Sequence, residues 1–142
     1  MADPKTECEE LMNAVLPFAE EMLTKYREFF PFGGTMSADG GIAHTGGWAG
    51  DEHPASTEVI ELLEKQFRAL AQSGECKATA LVYDIRTIPP GKEEKQDAIA
   101  VALDHRDDYS VVVFFPYSFT SGGHLEIESP FATRGENKIF SQ

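Results

Sequence analysis

Two histidines and three carboxylates lie within fifteen residues of one another in the first half of the chain: Asp39, His44, Asp51, Glu52 and His53. Imidazole and carboxylate ligands together suit Zn, Mn or Fe, so His44, Asp51, Glu52 and His53 are candidate ligands of one metal site. Their spacing matches no standard metal motif, however, and acidic residues just before a predicted helix stabilise the positive end of its dipole without any metal. Both interpretations, a metal site and solvated or structural side chains, stay open at this stage, and no cofactor is predicted.

The chain's single tryptophan, Trp48, stands among these residues between Gly46-Gly47 and Ala49-Gly50. A large aromatic side chain in a glycine-rich loop has little local core to join, and such side chains often anchor a partner or line a pocket. With His44 and His53, Trp48 therefore predicts a ligand-binding loop. The alternative is that the indole packs back over the edge of the sheet.

A second charged group, Asp-His-Arg-Asp-Asp, occupies residues 104–108. A histidine beside carboxylates can act as a general base, but the sequence contains no GxSxG elbow, no catalytic cysteine signature and no kinase motifs that would supply a partner for it. Strand alternation also directs Asp104 and His105 to opposite faces. We therefore predict no catalytic residues and interpret this group as the polar end of a hairpin.

Glycine pairs at positions 33–34, 40–41 and 46–47 invite comparison with phosphate-binding loops. Such loops follow the patterns GxxxxGK[ST] or GxGxxG, and neither pattern occurs here. We interpret these glycines as turn residues that adopt positive φ angles.

The elements that position these residues follow from the hydrophobic pattern. Apolar side chains at helical spacing predict a first helix over residues 6–30, with Thr6 and Glu9 as its capping box and a kink or break at Pro17. Its predicted apolar stripe consists of Leu11, Val15, Phe18, Met22, Tyr26 and Phe29. Asp39-Gly40 predicts a hairpin over residues 32–45.

A second helix is predicted to begin at Ser56 or Thr57 and to end at Gly74. Its apolar face consists of Val59, Ile60, Leu63, Phe67 and Leu70. The remainder of the chain is strand-rich, with predicted strands over residues 77–88, 97–106 and 109–119 and short pieces at 124–127 and 138–140.

Pairing of the first two of these strands about the centre of their connecting loop predicts one bulky and one small face. The bulky face would hold Leu81, Tyr83, Ile85, Ile99, Val101 and Leu103, and the small face Ala80, Val82, Asp84, Ala98, Ala100, Ala102 and Asp104. A face of small side chains lets another element approach closely, either a helix of this chain or a second subunit.

Helix, hairpin, helix and three to four antiparallel strands predict a single α+β domain over residues 1–142, with one sheet packed by helices. This order resembles that of roadblock-type and profilin-like domains. Several sequence stretches further resemble small uncharacterised bacterial proteins of about this length, which implies a bacterial origin and one domain but brings no activity. The matching stretches are residues 29–33, 39–40, 53–54, 104–109 and 111–117.

The charge of −12 is unevenly distributed, with a net of −10 over residues 1–64 and −2 over residues 65–142. Such acidity disfavours binding to nucleic acid or to an anionic membrane, since both require Lys and Arg opposite phosphates. A basic protein partner suits it better. The start of the chain lacks signal-peptide features, no apolar run approaches membrane-spanning length, and Cys8 and Cys76 are predicted free thiols, so we expect a cytoplasmic protein.

Two functional hypotheses result. The first is a non-enzymatic protein-interaction module, an acidic adaptor or immunity-type inhibitor, with self-association through the sheet as one form of it. The second is a small ligand- or metal-binding protein or enzyme whose loop site consists of His44, Trp48, Asp51, Glu52 and His53.

Overall fold

A computed structural model describes residues 3–46 and 56–140 and confirms the α+β class, with more strands than predicted. In these two ranges, two helices pack on a seven-stranded antiparallel sheet. The helices are α1 (Pro4–Tyr26) and α2 (Ser56–Gln72). The strands are β1 (Phe32–Ser37), β2 (Ile42–Gly46), β3 (Cys76–Thr87), β4 (Gln96–His105), β5 (Tyr109–Phe119), β6 (Leu125–Ile127) and β7 (Phe131–Arg134). Neither helix in this part of the chain is long and apolar enough to cross a membrane.

The strands follow the order β2-β1-β3-β4-β5, and both β6 and β7 pair with β5. The second half of β5 pairs with β6 and its first half with β7, with a shift of one residue between the two registers. An interruption that contains Pro130 thus breaks this edge of the sheet, which limits its ability to pair with another chain. The predicted strand at residues 138–140 is wrong, because these residues form a turn and β7 is the last strand.

Helix α1 covers one face of the sheet and begins earlier than predicted. Its N-cap is Asp3, whose carboxylate accepts a hydrogen bond from the backbone N–H of Thr6 at 2.7 Å, so Thr6 is not the cap. The segment forms one helix that contains Pro17 rather than two helices. Its buried stripe is Cys8, Leu11, Val15, Ala19 and Leu23.

The predicted stripe of α1 is right at Leu11 and Val15 and then departs by one residue. Ala19 faces the sheet in place of Phe18, which is 38% exposed and packs edge-on against Phe32 with 4.8 Å between ring centroids. A small side chain at the contact lets the helix lie close to the sheet, and the larger ring covers its flank.

Helix α2 packs on the opposite face, mainly over β1 and β3. Leu63 and Phe67 are buried there with Leu81 of β3 and with Ile139, which follows the last strand. The predicted end of this helix is confirmed, since Gly74 adopts a φ of +78° just after the last helical residue.

Two glycines of β1 lie against the two helices, one on each face of the strand. A Cβ atom on Gly33 would lie 2.7 Å from Cζ of Phe67 in α2 and would also overlap the carbonyl oxygen of Ala80. A Cβ atom on Gly34 would lie 2.6 Å from Cγ1 of Val15 in α1. The prediction that this pair serves a turn is therefore wrong: the pair permits close approach of both helices, whereas Gly40 is a true turn glycine with a φ of +97°.

The predicted register between β3 and β4 is wrong by one residue. Leu81 pairs with Ala102 and Tyr83 with Ala100, while Ala80 pairs with Leu103. Residues directly opposite in an antiparallel pair lie on the same face, so one face combines large side chains of β3 with alanines of β4. The other face pairs Leu103 of β4 with Ala80 of β3 and Val101 with Val82. No face is uniformly small, and each face carries one of the two helices.

Candidate functional site

The loop site predicted from the sequence falls largely outside the described residues, to which Trp48, Asp51, Glu52 and His53 do not belong. His44 lies exposed on β2, opposite Gly34 of β1. Within residues 3–46 and 56–140, no group of three His, Cys, Asp or Glu side chains could hold a metal ion. The loop site itself stays a prediction.

Asp39 belongs to the β1–β2 turn and bonds within it. Its carboxylate accepts hydrogen bonds from the hydroxyl of Ser37 and from the backbone N–H of Gly41, and these bonds hold the pKa of Asp39 below its usual range. The side chain thus stabilises the turn.

Asp104 and His105 point to opposite faces of β4, as alternation predicts. His105 is 1% exposed on the α1 side, where its Nε2 lies 2.9 Å from Oε1 of Glu7. Because Nδ1 accepts the backbone N–H of Asp107 at 3.0 Å, the ring proton resides on Nε2 and is donated to Glu7. Lys77 binds the other oxygen of Glu7, so this group ties α1 to the sheet.

On the α2 side, Asp104 lies in the middle of a polar row across three strands. It pairs with Thr79 of β3 and with Ser110 of β5. Asp104 is 8% exposed, and its Oδ1 accepts a hydrogen bond of 2.8 Å from the hydroxyl of Ser110. A buried carboxylate in the middle of a sheet is costly unless its surroundings or a ligand compensate it.

A cavity of about 410 Å³ lies above this row. It exists because α2 covers mainly β1 and β3 and because Ala102, the small member of its row, lies between Leu81 and Val112. The apolar part of its lining is Ile60, Phe67, Leu81, Ala102, Val111, Val112, Phe114 and Ile139. The polar part is Glu64, Thr79, Tyr83, Asp104, Ser110, Thr133, Arg134, Glu136, Asn137 and Lys138.

Residues 135–140, here called the C-terminal segment, form one wall of the cavity. The backbone N–H of Gly135 donates to the carbonyl of Ser110 at 3.1 Å, and the backbone N–H of Asn137 donates to the Ser110 hydroxyl at 3.0 Å. Asn137 adopts a φ of 55°, and its Nδ2 donates to Asp108 at 3.1 Å. Its Oδ1 is buried without a hydrogen-bond partner among the described residues. Most buried polar atoms are paired, so this wall has an acceptor that still lacks a donor.

The electrostatics of the cavity are set by its carboxylates. Burial raises the pKa of Asp104, the Ser110 hydroxyl opposes this rise, and the neighbouring charge of Glu64 adds to it. Burial, followed by Glu64 and Glu136, also raises the pKa of Tyr83. The ammonium of Lys138 lies 3.6 Å from Glu64 and acts against the rise at Asp104.

Asp104→Asn is expected to stabilise the protein at neutral pH. The folded protein holds the Asp104 proton more tightly than the unfolded chain, so stability falls as pH rises above the ordinary pKa of 3.8 and through the raised folded value. Asparagine removes this penalty and still accepts the Ser110 proton. Urea denaturation across pH checks this: the variant should have the higher midpoint at neutral pH and no such advantage in acid.

The control for this measurement is Asp97→Asn, which removes one exposed charge from the same strand. A variant at position 104 that is less stable than the wild type at neutral pH would contradict the assigned role of burial.

Sequence reasoning missed most of this site, including Glu64, Thr79, Ser110, Asn137 and Lys138. One signal was present: Asp104 continues the alternation of Ala98, Ala100 and Ala102, which are inward-facing residues on the same side of β4. An acidic residue in phase with buried alanines indicates a buried carboxylate, and such groups cluster at functional sites.

No protein-family model matches this chain, and no curated protein or solved structure matches it. The resemblances to small bacterial proteins and to roadblock-type and profilin-like domains stay predictions.

Proposed function

We propose that this chain is a non-enzymatic binding module and that the cavity between α2 and the C-terminal segment is where it binds. The observation that carries the proposal is the cavity of about 410 Å³ in which apolar side chains adjoin a polar row of Thr79 and Asp104, both buried, and the partly buried Ser110. Ligand sites characteristically combine an apolar concave lining with a few buried polar groups that orient the ligand.

Binding suits the geometry better than catalysis does. The Ser110 hydroxyl donates its proton to Asp104 and accepts the backbone N–H of Asn137, so it is engaged in structure. The histidine nearest in sequence, His105, lies on the opposite face. Among the described residues, the cavity therefore holds no nucleophile paired with a basic imidazole.

The test uses three probes that share a phenylethyl body and differ in their polar end: phenethylamine, phenethyl alcohol and 3-phenylpropionate. At millimolar concentration, at least one probe is expected to shift the amide NMR signals of cavity residues such as Leu81, Val112 and Ile139. Ala102→Phe and Thr133→Trp should abolish these shifts, because each places a large side chain in or beside the cavity.

Ala132→Phe is the control, since Ala132 is exposed on β7 and does not line the cavity. If no probe perturbs the cavity amides in a folded wild-type protein, or if the filling variants bind as well as the control, the proposal is wrong.

A second candidate is the interaction module predicted from charge, acting as an adaptor or inhibitor for a basic protein or assembling with itself. The observation that favours it is a set of exposed carboxylates on the two helices, of which only Glu21 has an ion pair, with Lys25, among the described residues. These carboxylates are Glu9, Glu10, Glu21, Glu58 and Glu61.

Analytical ultracentrifugation and pull-down on immobilised decalysine test this candidate. Capture should weaken steeply as the salt concentration rises. One of the two double variants, Glu9→Gln/Glu10→Gln or Glu58→Gln/Glu61→Gln, should lose capture, and the other should be affected less. A monomer for which both pairs of substitutions have the same small effect would contradict a defined interaction face.

A further inference from the structure

We infer that the cavity selects a positively charged amine carried on an apolar body, with Asp104 and Glu64 as the groups that recognise the charge. This inference rests on the proposed binding function and adds the chemical class of the ligand.

Two acceptor groups lie in the wall of the cavity, beside the hydroxyls of Thr79 and Tyr83, which donate as well as accept. Asp104 is a carboxylate, and Oδ1 of Asn137 is an acceptor without a donor. The one hydroxyl between them, on Ser110, already donates to Asp104 and accepts from the backbone of Asn137. Ser110 thus contacts both residues, Asp104 through its hydroxyl proton and Asn137 through the backbone N–H. A ligand that supplies several N–H donors complements these two acceptors.

The charge on the floor of the cavity is incompletely compensated. The hydrogen bond that Asp104 receives comes from a neutral hydroxyl, and the neighbouring Glu64 repels its charge. The cations that line the cavity, Arg134 and Lys138, are exposed. A cation that enters between Asp104 and Glu64 is therefore favoured by both carboxylates.

Glu64 already binds one ammonium group, that of Lys138. Its ammonium lies 3.6 Å from Glu64, whose side chain is 17% exposed, while the Lys138 side chain is 48% exposed. A half-exposed lysine holds its partner weakly, so an incoming ammonium can replace it. The apolar part of the lining, which includes the rings of Phe67 and Phe114, then accommodates the hydrocarbon part of the ligand.

An ammonium on an apolar stem can come from two sources, a free organic amine or a lysine side chain of a protein partner. The two share the same chemistry at Asp104 and Glu64. The experiment separates them by comparing phenethylamine with the blocked tripeptide acetyl-Gly-Lys-Gly-amide.

Dissociation constants for phenethylamine and phenethyl alcohol are measured by NMR titration of the full chain. The amine should bind at least about tenfold more tightly than the alcohol, because hydrogen bonds to charged groups contribute more than neutral ones. Asp104→Asn and Glu64→Gln should each remove most of this preference, because each should lower the affinity for the amine more than the affinity for the alcohol. Lys138→Met should strengthen amine binding, since the resident ammonium no longer competes for Glu64.

Glu61→Gln is the matched control, because it also removes a carboxylate from α2. Glu61 lies about one helical turn before Glu64, is exposed and does not line the cavity. It should bind the amine like the wild type, and the amide spectrum of each variant confirms that it is folded. Tighter binding of the lysine peptide than of phenethylamine would identify a protein partner, and the reverse a free amine.

The outcomes separate the two proposals. If the alcohol and the carboxylate bind in the cavity as well as the amine does, the binding function stands and the inference about charge is overturned. Equal loss of amine affinity in Glu61→Gln and Glu64→Gln also overturns it, because the effect would then come from overall charge. If no probe binds, the proposed function and the inference fall together.

Discussion

Gly33→Ala is expected to lower the free energy of unfolding by about 3 kcal/mol, at the upper end of the range for overpacked cores. The new methyl group would overlap the carbonyl oxygen of Ala80 in the neighbouring strand and would lie 2.7 Å from Cζ of Phe67. The carbonyl belongs to the backbone ladder between β1 and β3, so it cannot move without breaking strand pairing. Urea denaturation of the variant measures the effect.

The neighbouring Gly34 provides an internal check, because its obstacle is a side chain. A methyl group there would lie 2.6 Å from Cγ1 of Val15, so Val15→Ala should relieve part of the damage caused by Gly34→Ala. A double-mutant cycle should therefore give a favourable coupling of about 1 kcal/mol. Gly122→Ala, whose methyl group would meet its nearest neighbour at an ordinary 3.4 Å, is the control. Equal stability of the variants at positions 33 and 122 would contradict close packing of α2 on β1.

Glu7→Gln is expected to destabilise the protein by about 3 kcal/mol at neutral pH, the cost of removing one partner from a largely buried ionic group. Glu7 receives bonds from Lys77 and from His105, and its side chain is 13% exposed. Its removal leaves the ammonium of Lys77 without its carboxylate in a largely buried position. Glu21→Gln is the matched control on the same helix, since its pair with Lys25 is exposed to solvent and should contribute little to stability.

The effect of Glu7 should depend on pH in a defined direction. The hydrogen bond from Lys77, and then that from His105, hold the pKa of Glu7 below its ordinary value of 4.5. The carboxylate therefore stabilises the fold fully above that value, and its contribution is lost as pH falls through the lowered pKa. Denaturation curves of wild type and Glu7→Gln should converge in strong acid. A difference between them that stays constant from neutral to strongly acidic pH would show that the ionic group is not its source.

Ionisation of a carboxyl group has opposite effects on the stability of the fold at the two faces of β4. Glu7 has two cationic or donating partners on the α1 side, and ionisation there stabilises the fold. Asp104 has a hydroxyl and a neighbouring carboxylate on the α2 side, and ionisation there weakens it. A group that the folded state tolerates at such a cost is typical of sites kept for binding.

Local signals in the sequence determined the elements. Asp39-Gly40 specified the first hairpin, Gly74 ended α2, and strand alternation separated Asp104 from His105, because turn chemistry and side-chain period act over a few residues. The α+β class followed from the order of these elements. The predicted cap at Thr6 and the predicted inward position of Phe18 were wrong. In each case a second candidate lies within one turn of helix, and local patterns do not choose between the two.

Tertiary structure alone decided the register of β3 against β4 and, with it, the candidate site. A shift of one residue placed Ala102 opposite Leu81 and turned a supposed small face into the floor of a cavity. The glycines of β1 likewise became contact points for two helices, which no local pattern distinguishes from turn glycines. The sequence by itself thus determined which segments are helices and strands, because those preferences are local. The cavity of Glu64, Asp104, Ser110 and Asn137 was decided only by the packed fold, because it joins side chains from α2, two strands and the C-terminal segment whose proximity depends on long-range pairing.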